Sequence, residues 1–423
     1  MNPHISKQNN SSNVKLILTI FVPLACGYFL SFFYRSINAM IAPSLVNAFG
    51  LSPSELGLMT AVYFLGFGLF QLPLGILLDR FGPAKVQSSL LAVAAIGAAL
   101  FSVSERFDLL IAGRGLIGIG VAGALMSSFT AFALWFPRNI LPLANGCFMG
   151  IGGVGALAAT KPVEWMLTIT DWRGLFLLLS ITTATVALFI RASLPDTRST
   201  STPINLRAQI LDLKEIYSNK FFWRIAPLTV STVATGFAIQ GLWAAAWLRD
   251  VANLKPEGVA NHLLFMAFGI IFGPIATGII AEAARRRNIS LLGLYGTIAT
   301  VFIVLQVLII FAWTQISFFL WTGFGFFINA MSLSYAILTQ AFPKNLAGRL
   351  NTNLNMMMIS AAFVAQYLVG WIIEFWPFSL AEGYHPQAYR FGFGLLLSIQ
   401  FFSLVWFALQ PIIFFKKNLE KEH

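Results

Sequence analysis

The chain has 423 residues, of which 57% are hydrophobic and 10% charged, with a formal net charge of +11. A mean hydropathy of +0.77 lies far from that of soluble globular domains and identifies a membrane protein. The basic excess is not a nucleic-acid footprint: with the N-terminus inside, about 19 of the 27 Lys and Arg fall on cytoplasmic segments, the asymmetry of the positive-inside rule.

Apolar runs of roughly 20 residues, enough to cross ~30 Å of hydrocarbon, recur about twelve times along the chain. Six begin near Leu16, Glu55, Pro83, Phe107, Ile140 and Trp172, and six near Phe221, Gly258, Ile289, Gln315, Leu346 and Tyr389. The run after the polar N-terminus is too long for a signal-peptide core, so the first helix is expected to stay in the protein. Residues 1–13 are expected to form a cytoplasmic tail, 14–194 the first six-helix bundle, 195–219 a cytoplasmic linker, 220–415 the second bundle and 416–423 the C-terminal tail. Within the linker, Leu206, Ile210, Leu213 and Ile216 recur at helical spacing and predict a short amphipathic helix over Asn205 to Tyr217. Cys26 and Cys147 define neither a disulfide framework nor a metal site.

The first run holds FFYRSINAM, Phe32 to Met40, an arginine inside an otherwise apolar segment. Arg114 and Lys161 lie in the fourth and fifth runs, each ~10 Å from an external end by helical rise. Each such cation opposes insertion by about 2.5–3.5 kcal/mol at a helix centre. The 16 carboxylates supply few partners, because they cluster in loops, linker, tail and helix ends, although Glu164 stands three residues from Lys161. Cations left in a cavity are what a bound anion completes, and arginine grips carboxylates through two parallel hydrogen bonds. Arg35 and Arg114 are therefore candidates to clamp an anionic group, with Lys161 assisting. The competing reading has Arg114 bonded to helix carbonyls and Arg35 reaching outward to water. Helical spacing adds further candidates for the binding site: Tyr28 and Asn38 on the face of Arg35, beside Tyr34; Gln240, Trp243 and Trp247 on the seventh run; Asn329 and Ser332 on the tenth. For the tryptophans and Asn329, interfacial anchoring and helix–helix linkage are the alternatives.

The two halves echo each other. FPRNILPLAN, Phe136 to Asn145, recurs as FPKNLAGRLN, Phe342 to Asn351, at an offset of 206, and Gly75 with Asp79 pairs with Gly278 and Glu282 at 203. Two bundles of the same orientation around a central cavity are the expected architecture.

These features resemble the major facilitator superfamily over essentially the whole chain. GILLDRFGPAK, Gly75 to Lys85, is similar to that family's loop between spans two and three, and RGLIGIGVAG, Arg114 to Gly123, to its arginine and glycine motif on span four. YRSINAMIAP, Tyr34 to Pro43, resembles the first-span signature of the organic-anion branch, with Tyr34 where that branch has aspartate. The resemblance implies an all-α membrane protein of twelve transmembrane helices in two pseudo-symmetric bundles. It also implies a conformational latch comprising Gly75, Asp79, Arg80, Gly82 and Lys85, with Glu282 and Arg285 in the second half, in which Gly75 permits close helix packing. The expected activity is secondary active or facilitative transport of a small anionic or zwitterionic metabolite by alternating access, with proton-linked uptake as the leading form, anion exchange and uniport left open, and drug or metabolite efflux as the rival. Efflux members carry a GP-GG signature on span five that GIGGVGALAATKP, Gly150 to Pro162, does not reproduce. No phosphate-binding GxxxxGK[ST] loop, metal cluster or GxSxG motif points to an enzyme. Expected partners are a small-molecule substrate, the lipid bilayer and protons, with no cofactor, metal or nucleic acid. The chain is expected to act as a monomer in a bacterial inner membrane.

Overall fold

A computed structural model describes residues 16–137, 140–196, 214–343, 346–379 and 383–409. Among the described residues, eleven helices are long and apolar enough to cross a membrane. They begin with Ile17–Ser36, two spans within the kinked run Pro53–Ser102, Phe107–Trp135 and Trp172–Ser193. After the linker come Lys220–Asp250, Pro256–Arg286, Leu291–Ile310, Thr314–Ala341, Arg349–Ile373 and Pro386–Leu409. The helix Leu141–Ala158, 18 residues and ~27 Å long, holds the place of the predicted fifth span, so twelve membrane helices follow in the predicted order. The expected linker helix lies largely outside the described residues; only its end, 214–218, is seen as helix.

The chain divides into two compact units, Met1–Ser44 with Val62–Ile204, and Leu45–Ala61 with Asn205–His423. Inside each, helices approach until glycine meets backbone. A Cβ on Gly118 would overlap the Tyr63 carbonyl, and one on Gly66 would sit 2.5 Å from the Gly115 carbonyl oxygen. In the second unit, Gly325 stands in the same way against the Met266 carbonyl and Gly269 against that of Thr322. These are equivalent positions, 203 residues apart on the second and eighth spans and 207 on the fourth and tenth. The repeat is therefore built into main-chain contact as well as into sequence. Small residues allow this approach in lipid, where dispersion contacts replace the hydrophobic drive. Buried amides add to it: Gln306 and Gln400 exchange hydrogen bonds of 3.0 and 2.9 Å, and Gln400 Nε2 also donates to Thr235 Oγ1 at 3.1 Å.

The connection between spans two and three falls within Gly75 to Lys85, where two helices meet across a kink at Gly82, with φ 78° and ψ 163°, followed by Pro83, and two other expectations change. That φ is open to glycine without Cβ strain. Gly75, expected to pack closely, has no described atom within 4 Å of where a Cβ would lie. Lys161 does not continue the fifth span. That helix is capped at Ala159, and Lys161 opens a separate helix, Lys161–Met166, with Pro162 in its first turn. Proline suits a helix start and disfavours helical backbone before it, which explains the break.

Candidate functional site

In the first unit, the helix Val22–Ser36 ends at its cap Ile37, and a new helix, Asn38–Phe49, begins immediately. A helix end leaves carbonyls without intrahelical donors. Arg114, 1% exposed, donates from Nη1 to one of them, the Tyr34 carbonyl, at 3.3 Å. Its guanidinium lies 5.8 Å from the Tyr63 ring centroid and 5.7 Å from that of Phe101, while Nε is buried without a hydrogen bond. Among the described residues no carboxylate pairs with it. The expected alternative of a bond from Arg114 to a helix carbonyl is thus present, but it uses only one of the five guanidinium N–H groups.

Arg35 does not reach freely to water. Its guanidinium stacks 3.9 Å from the centroid of Phe32, and its Nε is shut off from solvent. Tyr63, whose hydroxyl donates to the Ser31 carbonyl at 3.1 Å, lies within electrostatic reach of both Arg35 and Arg114. Tyr28 is coupled in the same way to Arg35, and Tyr34 to Arg114. The structure so brings together four of the expected residues, Tyr28, Tyr34, Arg35 and Arg114, around a fifth, Tyr63, that sequence reasoning did not single out. Among the apolar neighbours of AVYFLGFG, Tyr63 carried no signal beyond its hydroxyl. Tyr28 stacks on Phe148 at 4.5 Å, and Gly152 makes room for it and for Phe32. Tyr34 is fully buried and its hydroxyl bonds to Thr183 Oγ1 at 2.9 Å. Since Thr183 donates to the Leu179 carbonyl at 2.7 Å, Tyr34 is the donor of the pair. Asn38 is fully buried in the following helix, and Lys161 is partly buried at the start of its own.

In the second unit, Gln240 and Trp243 lie in a wide π-helical turn, Ile239–Trp243, a local insertion that often marks functional positions. Trp243 is fully buried, donates from Nε1 to the Gln366 carbonyl at 3.2 Å and sits where side chains on Gly57 and Gly370 would stand. Trp247, 1% exposed, meets Trp321 edge-on at 5.4 Å. Neither indole is open to a ligand in this conformation. Ser332 is exposed at the end of the 3-10 segment Asn329–Ser332. The Asn329 side chain lies outside the described residues.

Asp250 closes the seventh span with a 7% exposed carboxylate. It accepts from Arg249 Nε and Nη2 at 2.6 and 3.0 Å, from the Tyr389 hydroxyl at 2.5 Å and from the Tyr384 amide at 3.1 Å. The last belongs to a ribbon pairing Phe378–Ser379 with Gly383–Tyr384. Gly383, at φ 76°, leaves space that a Cβ would take from the Asp250 carboxylate. Burial pushes the Tyr384 hydroxyl up to about 12. Besides the neighbouring Arg249, the partners of Asp250 arrive from more than 130 residues away, so the helix-end position alone does not reveal them.

Of the residues expected to form a latch, Lys85, Glu282 and Arg285 make ion pairs. Lys85 Nζ is 3.6 Å from Asp196, which also pairs with Arg191 at 3.2 Å. Glu282 takes Arg285 and Arg286 at 2.9 Å each. Asp79 and Arg80 are exposed, the latter 5.1 Å from the Phe81 ring centroid.

The profile of the Major Facilitator Superfamily matches residues 24–366. Among curated proteins, a Bacillus subtilis (strain 168) transporter named YybO is 34% identical over 148 residues, which is 35% of this chain and 34% of that protein. The niacin transporter NiaP of Acinetobacter baylyi is 24% identical over 41% of this chain and 40% of its own. The hexuronate transporter of Escherichia coli (strain K12) is 25% identical over 36% and 35%. The chain thus matches about a third to two fifths of the length of these relatives. In fold, it is similar to the inward-facing, unoccupied crystal structure of a bacterial homologue of the human lysosomal transporter Spinster. The TM-score there is 0.77 at 16% identity, over 92% of this chain and 95% of that one. The D-xylose–proton symporter gives a TM-score of 0.70 at 14% identity, over 92% and 97%.

Proposed function

The chain belongs to the Major Facilitator Superfamily, and from that premise we propose that it carries a small anionic metabolite across the membrane by alternating access. The observation that carries this reading is Arg114, a buried guanidinium with one long hydrogen bond to a carbonyl and no carboxylate partner among the described residues. Arg35, stacked on Phe32, lies within electrostatic reach of the same Tyr63. A carboxylate, sulfonate or nitrate entering there gains charge-assisted hydrogen bonds from groups already desolvated. Relatives named for niacin, hexuronate and sulfoacetate handle cargo of that chemistry. In this reading Tyr28, Tyr34, Asn38 and Lys161 shape the first half of the site, and Gln240, Trp243, Trp247, Asn329 and Ser332 contribute from the second once the buried indoles move. Uptake into a bacterial cell through the inner membrane, in company with protons, completes the proposal.

The test is ligand-induced stabilisation of the purified protein by nicotinate, hexuronate, sulfoacetate and nitrate, repeated with Arg35→Ala and Arg114→Ala. Stabilisation of the parent that both variants lose supports the clamp. Variants that fold and keep full affinity refute it. Uptake into proteoliposomes with and without an inward proton gradient decides coupling and direction.

A further inference from the structure

Between the ninth span, Leu291–Ile310, and the twelfth, Pro386–Leu409, lies a cleft of about 540 Å³. Gly296, Thr300 and Val301 form one wall, and Leu404, Phe407 and Ala408 the other. Thr300, Val301 and Ala408 are exposed, so in a membrane this cleft opens toward lipid. One wall residue is tied to a cation. Arg224, 8% exposed, donates from Nε to the Phe407 carbonyl at 3.1 Å and stacks 5.2 Å from the Phe407 ring centroid. Its terminal guanidinium nitrogens take no partner among the described residues. Arg224 stands one turn into the seventh span, whose first residue is Lys220, at the end that the charge asymmetry assigns to the cytoplasm.

Two exposed indoles mark the depth. Trp406 donates from Nε1 to the Trp223 carbonyl at 2.8 Å, and Trp223 from Nε1 to the Tyr217 carbonyl at 2.7 Å. Such rings, apolar in body and bonded at the N–H, settle at headgroup level.

We infer that this cleft binds an anionic phospholipid, with an acyl chain along the walls of the ninth and twelfth spans and the phosphate on Arg224. A cleft of this volume is in the range that encloses small ligands. A basic group at the cytoplasmic headgroup level draws anionic lipid by about 1 kcal/mol, or about fivefold in affinity. A zwitterionic lipid such as phosphatidylcholine offers the same phosphate with a choline cation beside it, which offsets the attraction to the guanidinium and leaves the anionic lipid favoured.

The experiment titrates the purified full chain in mild detergent with dioleoylphosphatidylglycerol and, separately, with dioleoylphosphatidylcholine, reading the melting temperature. Half-saturation is expected at about fivefold lower concentration for the anionic lipid. Arg224→Gln removes that preference and Arg224→Lys keeps most of it. Thr300→Trp fills the cleft without touching Arg224, and weakens both lipids; it also serves if Arg224→Gln does not fold. Equal response to the two lipids overturns the inference, as does an unchanged preference in Arg224→Gln or an undiminished response in Thr300→Trp. A response matched by inorganic phosphate alone overturns it too. So does one that appears only after removal of residues 410–423, which would assign the cleft to the chain's own C-terminal segment.

Discussion

Replacing Arg114 by leucine separates a binding role from a structural one, because the two roles predict opposite signs. A cation at a helix centre costs about 2.5–3.5 kcal/mol to insert. Against this stand one hydrogen bond of 3.3 Å, worth about 1.5 kcal/mol from a charged donor. Two ring contacts at 5.7 and 5.8 Å, near the outer limit of cation–π attraction, add about 0.5 kcal/mol each. The balance leaves the arginine neutral or unfavourable by about 1 kcal/mol in the empty protein, so Arg114→Leu is expected to melt at or slightly above the parent's temperature. Its affinity for the anion that stabilises the parent is expected to fall by about 10- to 150-fold, the equivalent of a charge-assisted hydrogen bond of about 1.5–3 kcal/mol. Melting curves without ligand and calorimetric titration with it measure both quantities on one preparation. A variant destabilised by about 3 kcal/mol or more, whose folded fraction binds normally, would show that Arg114 is a cap for the Tyr34 carbonyl and nothing else.

Asp250→Asn should cost about 3–5 kcal/mol, since the amide cannot accept from all four donors and leaves Arg249 with a broken partner, whereas Tyr389→Phe should cost about 1.5–3 kcal/mol. Chemical or thermal unfolding ranks them, and equal effects would mean the cluster is solvated. Gly118→Ala should destabilise by about 1–3 kcal/mol because its methyl group meets backbone, while Gly278→Ala, with no described atom near, should gain about 0.5–1 kcal/mol. Loss of stability on the second substitution would contradict the open space there. For Tyr384, the native hydroxyl holds its proton up to about 12, whereas an unfolded tyrosine releases it near 10. Its contribution is therefore complete below about pH 10 and is lost between about 10 and 12, and Tyr384→Phe should flatten that part of an alkaline unfolding profile.

Spans and repeat were legible in the sequence because hydropathy and duplicated motifs are local signals. The twelve starts needed only run length, and the connection within Gly75 to Lys85 was carried by its resemblance to a family motif. What escaped was set by distant encounter. Tyr63 looks like any aromatic of its helix until the fourth span brings Arg114 beside it. Asp250 looks like a solvated helix end until Tyr384 and Tyr389 return to it. Lys161 falls past the cap of the fifth span for a local reason present in the sequence, the proline that follows it. The tryptophans at 243 and 247 were found on the right helix, but spacing cannot tell an indole facing a ligand from one sealed behind Gly57 and Gly370.

The glycine seams have a further consequence. Where main chain touches main chain, as between Gly118 and Tyr63 or Gly325 and Met266, no rotamer change can relax a misfit, so each joined couple of helices must travel as one beam. Variation is then confined to positions off the seams. Exposed residues away from the seams can be exchanged while the frame that carries them keeps its dimensions.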